Sequence, residues 1–190
     1  MRTLKMLVAA AALFTLAGIA RPALADGAAP KPAAKILATA KATSAKTHKP
    51  VLVIFHATWC GWCHKLEGVM DRPEFKKMFE DNYVVVNLDV MENDPAKIKG
   101  FENPGGKELM GTLGGAQSGL PFYAFLDAKG KKLGDSNVMP KNQNIGYPGE
   151  PAEIDAFMAL IKKTAPHWSA ADQSTFKQYL VTNAPQAAGH

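Results

Sequence analysis

The chain of 190 residues holds two cysteines, and they stand two residues apart, in Trp59-Cys60-Gly61-Trp62-Cys63-His64. A disulfide across so short a loop removes little chain entropy, so the pair is a poor structural staple. A reactive dithiol, a metal clip and a haem attachment site remain open. The flanking residues constrain the fold more tightly. Just upstream lies the continuous apolar run Val51-Leu52-Val53-Ile54-Phe55, which suits a strand buried on both faces. From Gly61 to about Met70 the pattern is helical, with Cys63, Leu66, Glu67 and Met70 on one side. The chain must therefore build a strand–turn–helix unit with the first cysteine at the turn.

The N-terminus sets the compartment. Arg2 and Lys5 precede an apolar run from Met6 to Ala20, and Arg21-Pro22 is followed by Ala23-Leu24-Ala25. A charged start, an apolar core and a small-residue A-x-A site describe a secretory signal peptide, with cleavage expected after Ala25. A membrane anchor needs close to 20 apolar residues, more than this run supplies. The folded part is thus expected to be periplasmic or secreted, where cysteine pairs are free to oxidise. About 165 residues remain, enough for one domain with a real core. Arg2, Lys5 and Arg21 belong to the leader, so the rest is close to neutral despite a formal charge of +5 for the whole chain. No basic cluster interleaved with aromatics points to nucleic acid. No second apolar segment approaches membrane-spanning length, so no stable insertion is expected once the leader is gone.

The remaining pattern alternates strands and helices. Residues 26–47 read as a leader and an Ala/Lys-rich helix over 34–47. Asp71-Arg72-Pro73-Glu74 restarts a helix that carries Phe75, Met78 and Phe79. Tyr83–Asp89 reads as a second buried strand. Residues 91–118 are Gly-rich and irregular, with helical turns near 95–101 and 106–113. Such a long connection inside a compact domain is often functional. Two strands, Phe122–Leu126 and about Lys132–Met139, flank a turn at Asp127–Gly130. Glu150–Thr164 is the best amphipathic helix, and a last helix near 169–182 starts at Ser169 with Asp172 three residues on, an approximate capping box. The expected organisation is a signal peptide (1–25), leader and N-terminal helix (26–47), one domain (48–164) and a C-terminal helical extension (165–190). The fold class is α/β: a central mixed sheet of about four strands with helices on both faces.

A Cys-x-x-Cys that follows a buried strand and opens a helix is the setting of a dithiol redox motif. Cys60 would sit where free amide N–H groups and the helix dipole favour an anion, which raises the thiolate fraction. The segment Phe55-His56-Ala57-Thr58-Trp59-Cys60-Gly61-Trp62-Cys63 resembles the active-site segment of the thioredoxin superfamily, in which Trp commonly precedes the first Cys. Gly119-Leu120-Pro121 resembles that superfamily's cis-proline loop, and Gly146-Tyr147 its link into the last helix; the likeness covers roughly residues 48–164. It implies a thioredoxin-like fold and thiol–disulfide exchange, with Cys60 attacking and Cys63 resolving the mixed disulfide. It also implies protein disulfides or dithiols as substrates, a membrane or periplasmic thiol redox partner, and no cofactor beyond the Cys60–Cys63 pair. Trp59, Gly61, Trp62, Leu120 and Pro121 are the expected substrate contacts.

The chain departs from thioredoxin itself. Ile54 stands where thioredoxin has a buried Asp, Gly61-Trp62 replaces Gly-Pro, and no first strand is evident before residue 50. Glu67, four residues after Cys63, resembles a Glu in the C-terminal domain of the DsbD reductase. Residues i and i+4 share a helix face, so Glu67 is expected to approach Cys63 and help move its proton. That likeness favours reduction or interchange, while an oxidase or isomerase direction stays open. Cys60-Gly61-Trp62-Cys63-His64 also satisfies the c-type haem signature with His64 as axial ligand. The apolar strand before it and Pro121 after it speak for thiol chemistry instead. Zinc is weaker, since His48, His56 and His64 offer no second spaced ligand pair and no metal is expected. Trp59 and Trp62 suit an apolar surface for a partner polypeptide, and a binding module with an idle dithiol is a further alternative. Export is checked directly: Edman sequencing of the protein from a secreting host should begin at Asp26.

Overall fold

The computed structural model describes residues 29–165 and 167–185; the expected signal peptide (1–25) lies outside them. Four strands form the sheet: β1 (Val51–His56), β2 (Val84–Asp89), β3 (Phe122–Leu126) and β4 (Lys132–Asp135), in the order β2-β1-β3-β4. β1 runs parallel to β2 with Val51 opposite Val84 and His56 opposite Asp89, and antiparallel to β3. β3 and β4 form the hairpin read from the sequence. No strand precedes β1 among the described residues.

β1 and β3 are central, and their alternating residues divide the core into two layers. Leu52, Ile54, Tyr123 and Phe125 face one side. There they pack against α2 (Gly61–Met70), α3 (Pro73–Asn82), α6 (Pro151–Thr164) and α7 (Ala170–Thr182). Val51, Val53, Phe55, Phe122, Ala124 and Leu126 face the other side. That layer is covered by α1 (Ala33–Thr47) and α5 (Gly106–Met110). Continuous apolar runs in β1 and β3 are thus what two-sided burial requires. The thin stripe of α1 has a matching use: it buries only Ala33, Ala40 and Ser44, small side chains that let the helix lie close to the sheet.

The 91–118 connection contains α4 (Pro95–Gly100), then α5 and a widened turn at Gly111–Gly115. Gly115 is obligatory there, because a Cβ would lie 2.6 Å from the Phe122 ring. Lys132 Nζ donates to the Leu113 carbonyl (2.8 Å) and Asn137 Nδ2 to that of Gly114 (2.9 Å), tying this segment to the end of the hairpin. The Leu120–Pro121 peptide bond that follows is cis.

Three expectations change. The apolar Val84–Val86 run suggests full burial, yet it is only half-buried, because β2 is an edge strand with neighbours on one side alone. β4 ends at Asp135 rather than near Met139: the chain turns away and Met139 pairs with Gln143 in an isolated bridge. The sequence suggests a separate extension over 165–190, yet Trp168, Phe176 and Leu180 are buried in the same core as Phe75 and Phe79. The Phe176 ring lies 4.9 Å from Phe75 and 5.5 Å from Phe79, both edge-on. α7 is amphipathic only weakly in sequence, so its few large aromatics carry its docking. Phe176→Ala should cost about 3–5 kcal/mol, as for large aromatic truncations in cores, read as a lower urea midpoint.

Candidate active site

β1 delivers the chain to a tight turn and α2 leaves it. Cys60 is the N-cap of α2, with extended backbone (φ −84°, ψ 96°). Its amide donates to the Ala57 carbonyl (3.0 Å). Cys60 and Cys63 are joined as a disulfide. The Cys63 amide donates to Cys60 Sγ (3.2 Å), so the sulfur takes the capping position that a Ser or Asp oxygen usually fills. That amide and the helix dipole would both favour a thiolate on Cys60 once the bond is reduced. Cys60 keeps 4% of its surface and Cys63 none, so an incoming sulfur has access to Cys60 alone. A Cβ at Gly61 would meet nothing within 4 Å, which leaves the approach open.

Leu120 packs against Ala57, Cys60 and Cys63, bringing the cis-proline loop onto the dithiol. Asn144 pins that loop, donating from Nδ2 to the carbonyls of Gly119 (2.9 Å) and Pro121 (3.0 Å). Its Oδ1 accepts from Gly146 N (3.1 Å), an Asx turn whose Gly146 has φ 62°. Trp62 is half exposed and stacks on Tyr147 at 5.7 Å, with Lys65 Nζ 5.4 Å and 4.9 Å from the two rings. A cleft of about 540 Å³ opens here, between Trp62, Leu120, Tyr147, Glu150 and Pro185. Trp59 is also half exposed, and its indole N–H donates to the Met91 carbonyl (2.9 Å).

Beneath the turn lies a group of charges. His56 Nδ1 is 2.9 Å from Glu67 Oε1, and its Nε2 is 3.6 Å from Asp89 Oδ2. These contacts join the ends of β1 and β2 to α2. Asn87 Nδ2 also donates to Glu67 (3.3 Å). Burial works against the His56 imidazolium. The contact with Glu67 and the fields of Glu67, Asp89 and Glu92 outweigh it, so the pKa lies above its ordinary 6.5. Burial pushes the Asp89 carboxyl up; His56 opposes this, and Glu92 and Glu67 reinforce it. His64 is more exposed: its Nε2 donates to the Thr58 carbonyl (2.9 Å), and its Nδ1 is 3.8 Å from Glu67.

The residues singled out in sequence thus fall around one spot. Cys60, Cys63, Gly61 and Trp62 occupy the first turn of α2 or its cap, Trp59 precedes them, and Leu120 meets them from the loop before β3. Glu67 lies one turn further along α2, where its carboxylate pairs with His56. The haem alternative fits poorly, since Cys63 is wholly buried and His64 turns its Nε2 to a backbone carbonyl. Sequence reasoning gave no such role to Asp89, Glu92 or Asn144, weighed His56 only as a metal ligand, and did not foresee the stacking of Tyr147 on Trp62. The Asn144-Ile145-Gly146 spacing was a turn signal; the others carried none.

The chain belongs to the thioredoxin-like family, whose profile matches residues 33–128, just over half of the sequence. It is similar to a protein disulfide-isomerase of Hordeum vulgare, 35% identical over 102 residues. That stretch is 54% of this chain but 17% of the barley protein, so the chain spans under a fifth of that relative's length. Among solved structures it is similar to a disulphide isomerase of Xylella fastidiosa, 26% identical with a TM-score of 0.45, over 54% of this chain and 72% of that one. Another is the oxidised C-terminal domain of DsbD from Neisseria meningitidis, 19% identical with a TM-score of 0.42, over 56% and 83%.

The His56 contacts make a pH prediction. A folded pKa above the unfolded one adds stability that is fully present below about 6.5 and is lost as pH rises through the folded value. The raised Asp89 pKa acts in the same sense, from its ordinary 3.8 upward, because burial penalises its charged form. The oxidised protein should therefore lose stability above pH 6.5, and His56→Gln should flatten that part of a urea-midpoint profile. An unchanged slope in the variant would assign the loss elsewhere.

Proposed function

We propose that this chain is an exported thiol–disulfide oxidoreductase that reduces or exchanges disulfides in protein substrates. The observation that carries the reading is the Cys60–Cys63 disulfide at the start of α2, with only Cys60 reachable and Leu120 packed against it. In the reduced protein, the Cys60 thiolate attacks one sulfur of a substrate disulfide, and the other substrate sulfur leaves as a thiolate. Cys63 then attacks Cys60 Sγ, freeing the second substrate sulfur and closing the Cys60–Cys63 bond. The substrate gains two electrons and the dithiol loses them. A dithiol partner, in the membrane or the periplasm, restores the reduced form by the same exchange run backwards.

Glu67 is the acceptor proposed for the Cys63 proton, with His56 holding its carboxylate. Leu120 and Pro121 hold the substrate backbone, and Trp59 and Trp62 offer apolar faces beside the attacked sulfur. The Arg2-to-Ala25 pattern supports export, and among the described residues no helix is long and apolar enough to cross a membrane.

Trapping tests the assignment. Cys63→Ser should accumulate mixed disulfides with protein substrates, sensitive to dithiothreitol, because Cys60 attacks and nothing resolves the adduct. Cys60→Ser should trap none and should reduce insulin no faster than free dithiothreitol. Equal trapping by both variants would reverse or remove the roles. Failure of the wild type to speed insulin reduction, together with rapid oxidation of a reduced protein, would turn the direction to oxidase.

A further inference from the structure

We propose that Glu92 is a positioning residue that sets the redox poise of the dithiol, favouring its disulfide form so that the protein acts as a reductant. This rests on the thiol–disulfide reading and concerns the same site. Among the described residues Glu92 is the one acidic side chain enclosed by protein, 7% exposed. Its Oε1 accepts from Thr58 N (2.5 Å) and its Oε2 from Thr58 Oγ1 (2.8 Å). Thr58 is two residues from Cys60, inside the turn between β1 and α2. The preceding residue, Met91, accepts the Trp59 indole N–H, and its own backbone lies in the left-handed region (φ 60°). Glu92 N in turn donates to Glu102 Oε2 (3.0 Å). Met91 and Glu92 therefore grip Thr58 and Trp59 by three hydrogen bonds, and Glu102 secures the grip from the far end of α4. The long 91–118 connection contains this clamp.

A buried carboxylate stays charged only where donors satisfy it, and Thr58 supplies two. No Lys or Arg pairs with Glu92 among the described residues. The other charged groups facing the turn are His56 on β1, Asp89 on β2, His64 and Glu67 on α2, and Glu102 after α4. His56 is engaged with Glu67 and Asp89, and His64 is largely solvated. Carboxylates thus outnumber cations around the Thr58 turn that leads into Cys60. A negative charge there disfavours the Cys60 thiolate, opposing the start of α2. A dithiol whose reduced form gains less thiolate stabilisation reverts more readily to the disulfide, so it gives electrons more readily. The clamp fixes the loop, and the charge sets the direction.

Glu92→Gln keeps an oxygen that can accept from Thr58 and removes the charge. The Cys60 thiol pKa, followed by thiolate absorbance at 240 nm, should fall by up to about one unit, the order expected for removing one charge held on Thr58, two residues from the thiol. Measured at a pH well above that pKa, the equilibrium with glutathione should shift by up to about tenfold toward the dithiol. Thr58→Val, which keeps the charge and loses one hydrogen bond, should move neither value by more than a small fraction of that. A Glu92→Gln protein that loses stability but keeps both values would have lost only a tether, and the proposal would fall. It would fall equally if Thr58→Val reproduced the full shift. If the wild type proved unable to reduce any protein disulfide while Glu92→Gln still shifted both values, the role of Glu92 would stand and the function proposed above would not.

Discussion

Burial of β1 on both faces is the constraint on which the rest depends. Val51, Val53 and Phe55 anchor one layer of helices, Leu52 and Ile54 anchor the other, and all five are at most 2% exposed. A strand so enclosed has little freedom of register, because a slip by one residue would exchange its two faces. Its C-terminal end is therefore a fixed point, and His56, the Thr58 turn and Cys60 inherit that precision. The same strand pairs with β2 and β3, so the charges from β2 and the Pro121 loop before β3 converge on one place.

Two electrostatic influences meet at that place. The start of α2 and the Cys63 amide favour negative charge on Cys60. The carboxylates of Glu67, Asp89 and Glu92, with His56 among them, gather at the ends of β1 and β2 and the Thr58 turn, and in the proposed role of Glu92 they oppose it. A dithiol held between opposing fields can be moved along the redox scale by single charges without altering its geometry. Variation beneath the turn, rather than in the Cys-x-x-Cys itself, is then an economical way to tune such a site.

Much of the fold could be read from local pattern where that pattern had one physical meaning. β1 and β3 were legible as doubly buried strands, α2 and α6 as amphipathic helices, and Ser169 as the cap of α7, where its Oγ accepts from Asp172 N (3.1 Å). β2 misled because an apolar run looks the same whether one neighbour or two lie beside it. α7 misled because its apolar pattern was weak, although Phe176 and Leu180 are wholly buried. Within the site, Cys60, Cys63, Trp62 and Leu120 stood out by motif. Glu92 and Asn144 looked like ordinary loop residues, since their roles consist of hydrogen bonds to segments distant in sequence: 34 residues away for Glu92 and 23 to 25 for Asn144.

By itself the sequence determined that a strand must end, and a helix begin, at a pair of thiols, because the side-chain periods of 2 and 3.6 change there and leave few alternatives. It singled out a candidate reactive atom in the same stroke, since a cysteine at a helix start is a thiol in a field favourable to its anion. The tertiary structure alone decided what surrounds that atom. It brought Glu67 to His56, Glu92 to Thr58 and Asn144 to the loop at Pro121. Such long-range contacts are set by how the helices and strands stack, and no local pattern encodes them.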